Sequence, residues 1–277
     1  VMDLVRKDIR IKDIITKQAV TNAIKVNSAI GGSTNAVLHL LAIAYEAQID
    51  LDIFEFGRIS MSVPHLVPMI PAGQFTLLDF HEAGGIPVMM KELETVLDLD
   101  GITCTGHTSR ENIMEYRNKD SDVIRSLDRP VHTRGGIAVL RGNIAPDGAV
   151  TKPSAIPEQA LWFRGPAKIY ESEHEALLGI RASQVGEGDV VVIRNEGPKG
   201  GPGMQEMYKV MKVLVGMELG SKVCVITDGR FSGSNNGCFV GHICPEAFDD
   251  GPIAYIQDGD IITVDVLGGT IHADADF

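Results

Sequence analysis

Four side chains able to do acid–base or ligand chemistry sit on two glycine-crowded turns. They are Glu206 in GPKGGPGMQEM, and Asp228, Arg230 and Ser232 in TDGRFSG. A carboxylate beside a turn can hold a hard cation such as Mg²⁺, which takes only one or two protein carboxylates together with substrate oxygens and water. A hydroxyl on a turn after a strand either bonds local backbone or, once its proton is drawn off, attacks or abstracts. Asp228, His242 and Ser232 also supply the inventory of a hydrolase triad, although the glycine that a nucleophile elbow places two before the serine is missing. NEGPKGGPG superficially resembles a phosphate loop but lacks the G-x-x-x-x-G-K-[ST] order, which argues against a nucleotide.

The elements around these turns follow from hydrophobic period. MQEMYKVMKVLV has helical spacing, which predicts a helix opened by Glu206, where the macrodipole favours an acid whether or not it binds a metal. DVVVIR (189–194) and KVCVIT (222–227) read as buried strands, and AKIY (167–170), PIAYIQ (252–257) and DIITVDV (260–266) as further strands. ESEHEALLGI reads as a short helix, and RGNIAPDGAVTK as strands separated by turns. Glycines in the two central turns let backbone approach a ligand closely.

The first half has a different texture. DIITKQAVTNAIKVNSAI (13–30) is helical by period and is broken at Gly31-Gly32. Ser33-Thr34-Asn35 then offers a cap for AVLHLLAIAYEAQI, on whose apolar face His39 is expected as a core histidine. Free N–H groups at a Gly-Gly-Ser-Thr helix start favour an anion, and a capped helix–helix corner explains the same residues without a ligand. A third helix is expected over 52–59, and helices on either side of Gly84-Gly85 between residues 80 and 97. Pro64, Pro68 and Pro71 predict an extended loop on the surface of this helical part. Residues 99–106 read as loop or short strand, and 112–126 as a terminal helix and linker. The change of texture near Arg129-Pro130 sets the expected domain boundary, giving 1–129 and 130–277.

The chain has 277 residues, 44% hydrophobic and 22% charged, enough for two domains. A net charge of −12 argues against nucleic acid or an anionic membrane as main partner. No apolar run of about 18 residues and no signal peptide is present, and Val1 opens what reads as already folded protein, which suggests a fragment. Cys104, Cys224, Cys238 and Cys244 lack C-x-x-C spacing and are read as buried free thiols of a reducing compartment. A metal role for Cys238 and Cys244, six apart, is the alternative.

Together, NSAIGGSTNAVLHL, LDGITCTG, RGNIAPDGAVTK, NEGPKGGPGMQEM and TDGRFSGSNNGCFVGHICPEA resemble the dihydroxy-acid and sugar-acid dehydratase family over nearly the whole chain. GPKGGPGMQEM and GHICPEA are more similar to the dihydroxy-acid branch than to the 6-phosphogluconate or arabonate dehydratases. The resemblance implies an α/β protein: a helix-rich remainder of an N-terminal α/β domain, then a swivelling β/β/α barrel-like C-terminal domain. It further implies a homodimer or homotetramer, cytoplasmic in a bacterium and in an organelle matrix in a eukaryote. By resemblance Glu206 is a magnesium ligand and Ser232 the catalytic base, with Ser33, Thr34, Arg230 and Gly233 as substrate-binding candidates.

The implied reaction is a hydro-lyase step of branched-chain amino-acid biosynthesis. Water is removed from 2,3-dihydroxy-isovalerate or 2,3-dihydroxy-3-methylvalerate to give 2-keto acids, with Mg²⁺ and a 2Fe-2S or 4Fe-4S iron–sulfur cluster as cofactors. A serine alkoxide forms at neutral pH only where nearby cations stabilise it. Two departures limit the carry-over. The family's cluster cysteines and other magnesium ligands, a modified lysine among them, belong to an N-terminal segment this chain does not contain, so neither cofactor is expected on it and the chain alone is expected to be inactive. SGSNNG also differs from the family's usual second glycine after SG and its His before the last Gly. A sugar-acid dehydratase and a non-catalytic anion-binding or assembly domain are the alternatives.

Overall fold

A computed structural model describes residues 1–233 and 237–275. The chain divides into two units, residues 1–32 with 36–136, and residues 33–35 with 137–277.

The first unit is helical: α1 (Met2–Arg6), α2 (Ile11–Ile14), α3 (Lys17–Ala29), α4 (Asn35–Glu46, its first residue counted with the second unit), α5 (Ile53–Met61), α6 (Leu77–Glu82), α7 (Gly85–Glu92) and α8 (Ser109–Ile113). Local chemistry sets the ends. Thr16 accepts from the Ala19 N–H and so splits the expected 13–30 helix, Asp52 accepts from the Glu55 N–H, and Thr76 with Asp79 and Thr108 with Glu111 form capping boxes. Gly84, at φ 123°, separates α6 from α7 as the glycine pair predicts.

Three expectations for this unit fail. His39 is exposed, because α4 turns Val37 and Ala44 inward and His39 to the other side. The proline segment is not a surface loop. Val63, Leu66 and Val67 are fully buried, and its backbone is satisfied by distant partners, Leu66 N–H donating to Ala29 O and Arg125 N–H to Leu66 O. A proline rules out helix without ruling out burial, provided such partners exist. Residues 112–126 form no terminal helix beyond α8.

The second unit is built on an eight-stranded sheet. Its strands are β1 (Ala138–Leu140), β2 (Ala149–Thr151), β3 (Trp162–Tyr170), β4 (Val190–Ile193), β6 (Cys224–Thr227), β8 (Cys238–Gly241), β9 (Ile261–Asp265) and β10 (Thr270–Ala273), in spatial order β1-β2-β8-β6-β4-β3-β9-β10. β5 (Glu206–Met207) and β7 (Arg230–Phe231) form a separate parallel ribbon. β3, β4, β6 and β8 run parallel, and the flanking strands are antiparallel. The outer strands nearly close the sheet into a barrel through a bridge between Arg141 and Thr270, with Arg141 N–H donating to Gly269 O and Ile271 N–H to Arg141 O. Gly142 follows at a point where a Cβ would overlap the Ile271 carbonyl oxygen.

Alternation explains why β4, β6 and β8 read as continuous apolar runs. Val190, Val192, Cys224, Ile226, Cys238 and Val240 face the barrel interior. Val191, Ile193, Val225 and Phe239 face outward onto α9 (Glu173–Arg181) and α10 (Lys209–Gly216) through Ala176, Ile180, Val210 and Leu214. Parallel strands covered on both faces have this signature. Residues 252–257, expected as a strand, contain instead a 3₁₀ turn over Pro252–Tyr255 begun by its proline. Gly142→Ala is expected to force the bridge apart and lower unfolding stability by about 3 kcal/mol, toward the upper end for point substitutions. Urea denaturation of the two proteins measures this.

Candidate active site

The carboxyl ends of the parallel strands gather the chemistry, as open parallel sheets do. β4 leads into Arg194, Asn195 and Glu196, β6 into Asp228, and β8 into His242. Asp228 is 1% exposed and its carboxylate accepts the backbone N–H groups of Asn195, Glu196 and Ala247 at 3.0, 3.0 and 2.9 Å. Burial pushes its carboxyl pKa up, against the pull of those three donors. Glu246, also buried, accepts the N–H groups of Lys199 (3.0 Å) and Gly200 (2.9 Å), while Lys199 Nζ pairs with Asp249. The glycine-rich GPKGG turn thus wraps an internal carboxylate, and a side chain at Gly197 would strike it. That is why the turn looks like an anion cradle without being a nucleotide loop.

With both turns held, the ribbon forms. Glu206 pairs with Arg230 and Met207 with Phe231, and Ser232 N–H continues the ladder to Met207 O at 3.3 Å. Met207 and Phe231 are buried, so strand alternation puts Glu206, Arg230 and Ser232 together on the opposite face. Arg230 Nε donates to Met204 O at 2.6 Å, which fixes its guanidinium. Asn35 Nδ2 donates to Glu206 Oε1, while Asn35 Oδ1 is buried with no protein partner among the described residues. Ser33 Oγ accepts from Asn35 N–H at 3.2 Å and lies 3.3 Å from where a Cβ on Gly233 would stand. Ser33, Arg230, Ser232, Gly233 and Glu206 therefore converge, and Thr34 sits half-buried between Ser33 and Asn35.

Two sequence readings need correction. Glu206 does not open a helix. It lies in β5, and α10 starts at Lys209 because Glu173 from α9 accepts the N–H groups of Tyr208 and Lys209 at 3.2 and 3.1 Å, a remote carboxylate capping the helix. Nor do Asp228 and His242 form a triad with Ser232. Asp228 is committed to backbone, and neither ring nitrogen of His242 has a protein partner among the described residues. In the sequence Asn35 is legible only as part of a cap, and nothing local signals its contact with Glu206. The unusual Ser234, Asn235 and Asn236 of SGSNNG lie outside the described residues.

The donor set discriminates between cofactors. Glu206 is a hard oxygen donor of the kind Mg²⁺ takes, held by the Asn35 amide, and Mg²⁺ needs only one or two such carboxylates besides water and substrate oxygens. The cysteines do not suit an iron–sulfur cluster. Cys104 and Cys244 are exposed, contrary to expectation, while Cys224 and Cys238 are buried against each other. This also removes a joint metal role for Cys238 and Cys244. Among the described residues no three His, Cys, Asp or Glu side chains gather as a metal-binding group. No helix among them is long and apolar enough to cross a membrane.

Comparison with known proteins identifies the class to which the chain belongs. Residues 1–112 match the family profile "Dihydroxy-acid/6-phosphogluconate dehydratase N-terminal" and residues 122–276 the corresponding "C-terminal" profile, so the chain belongs to the dihydroxy-acid/6-phosphogluconate dehydratase family. It is 49% identical over 274 residues to a dihydroxy-acid dehydratase of Ruminiclostridium cellulolyticum, covering 98% of this chain and 50% of that protein. Dihydroxy-acid dehydratases of Acetivibrio thermocellus (49% over 276 residues) and Methanothermobacter thermautotrophicus (45% over 277) each cover 99% of this chain and 50% of the relative. The chain spans about half the length of the curated relatives it matches.

His242 supplies a pH test of the site's packing. Burial, with the nearby Arg230 charge, pushes its pKa from 6.5 down to about 4. A group whose folded pKa is depressed in this way is protonated first in the unfolded chain, so folding loses stability as pH falls from 6.5 toward 4. The loss is on the order of 3 kcal/mol across that window. His242→Asn is expected to flatten the acid limb of a stability-versus-pH curve by that amount, as read by chemical denaturation at stepped pH.

Proposed function

We propose that this chain carries the proton-abstracting part of a dihydroxy-acid dehydratase. The observation that carries the reading is the β5–β7 pairing, which puts Glu206, Arg230 and Ser232 on one face. Removing the C2 proton and the C3 hydroxyl of a 2,3-dihydroxy acid releases water and leaves an enol, which tautomerises to the 2-keto acid. Bound Mg²⁺ would supply electrostatic stabilisation of charge developing on the substrate carboxylate and C2 oxygen. Glu206 would hold that ion, and Asn35, whose Nδ2 donates to Glu206, holds the carboxylate in orientation. Ser232, as alkoxide, takes the C2 proton, and the fixed Arg230 guanidinium on the same face favours the anion over the hydroxyl. Ser33, whose Oγ lies 3.3 Å from where a Cβ on Gly233 would stand, and Thr34 are the further polar contacts for the substrate.

The relatives named dihydroxy-acid dehydratase support a 2,3-dihydroxy acid over an aldonate as substrate. By family resemblance the reading extends to a branched substrate, a step of branched-chain amino-acid synthesis, and a cytoplasmic homodimer or homotetramer as the whole enzyme. The four cysteines do not form a cluster site, so the iron–sulfur group is held by residues other than these. The chain alone, supplied with iron, sulfide and Mg²⁺, is expected to show no dehydration. Turnover by it would overturn that division of labour.

In full-length enzyme carrying this sequence, Ser232→Ala is expected to lower kcat about 10²- to 10⁴-fold while substrate still binds. Glu206→Gln should raise the Mg²⁺ concentration needed for half-maximal rate. The rate of 2-keto acid formation from 2,3-dihydroxy-isovalerate, set beside that from an aldonate, reads both. Near-normal kcat in Ser232→Ala, or preference for the aldonate, would sink the assignment of base or of substrate respectively.

A further inference from the structure

Cys224 on β6 and Cys238 on β8 occupy directly paired positions of two parallel strands. Both side chains face the barrel interior, both are 0% exposed, and their sulfur atoms stand 2.9 Å apart. Adjacent strands lie about 4.8 Å apart, inside the Cα separation of about 4.4–6.8 Å that a disulfide spans. The sulfurs are already closer than the ~3.5–4.0 Å of ordinary packing contact, and a shift of about 1 Å brings them to bonding distance.

We propose that Cys224 and Cys238 form a reversible thiol–disulfide site that ties the amino end of β6 to the amino end of β8 and encloses the segment carrying Asp228, Arg230 and Ser232 in one covalent ring. That segment leaves the sheet after β6 and returns at β8. The two thiols give up two protons and two electrons to an acceptor of the diazenedicarboxamide class. One thiolate adds to the acceptor's N=N bond, and the second attacks the resulting sulfur–nitrogen adduct. One S–S bond forms and the acceptor leaves as its hydrazine.

Burial raises the Cys224 thiol pKa well above its ordinary value, with the hydrogen bond to Cys238 adding to the shift. Native-state oxidation is therefore slow at neutral pH and speeds up as pH rises, since the thiolate is the attacking form. Cys104 and Cys244 are exposed and stand apart from this pair. The inference does not rest on the dehydratase reading.

The test uses the full chain with Cys104→Ser and Cys244→Ser, which removes the competing exposed thiols. Folded protein is oxidised with diamide at pH 8.5, unfolded, alkylated with iodoacetamide and digested without reductant. Mass spectrometry is expected to find the Cys224 and Cys238 peptides joined, and dithiothreitol to separate them. Because a cross-link restricts mainly the unfolded chain, Tm should rise by about 5 °C on oxidation, with no rise when Cys224→Ala is added. Alkylation of both cysteines after oxidation, or a cross-link between separate molecules, would overturn the proposal. So would a Tm rise that persists in the Cys224→Ala variant.

Discussion

One buried carboxylate holds the site together. Asp228 ends β6 and receives backbone N–H groups from the turn after β4 and from the segment after β8, so a single charge fixes the spacing of three chain segments. An uncompensated charge at 1% exposure would be costly, and three short hydrogen bonds are what make it tolerable. Glu246 does the same for the GPKGG turn. Acids that composition alone would assign to a solvated surface serve here as internal fasteners for loops rich in N–H donors.

The ribbon depends on that fastening. A two-residue parallel pairing is too short to persist alone, and β5 and β7 persist because their ends are anchored and because Met207 and Phe231 are buried beneath α10. Burying that pair obliges Glu206, Arg230 and Ser232 to face the other way. The functional reading thus follows from a packing constraint, since the same alternation that fills the outer layer between sheet and helices orients the reactive face.

Legibility in the sequence followed the range of the forces involved. β4, β6 and β9 were readable because burial on both faces or strict alternation leaves a local pattern, and α5, α6 and α7 because caps and glycines are local. β5 was hidden inside a helical period, since the delayed start of α10 is imposed by Glu173 from another helix. β8 is four residues long and follows a stretch of sequence so crowded with glycine and asparagine that its pattern is submerged. The buried proline segment and the contact from Asn35 to Glu206 depend on partners far away in sequence, to which no periodicity is sensitive. Glu206 and Ser232 could be singled out by type and by family resemblance. Their common face could not, because it exists only once β5 and β7 pair.

That common face is the central claim, and a cation tests it most directly. Crystals of the full-length enzyme carrying this sequence, soaked in Mn²⁺, a heavier stand-in for Mg²⁺, would locate the ion by anomalous scattering. The account predicts a peak in contact with the Glu206 carboxylate, on the side of the ribbon that bears Arg230 and Ser232, and no such peak in Glu206→Gln. A Mn²⁺ bound elsewhere with Glu206 bare, or one held by Glu206 on the face away from Ser232, would contradict it.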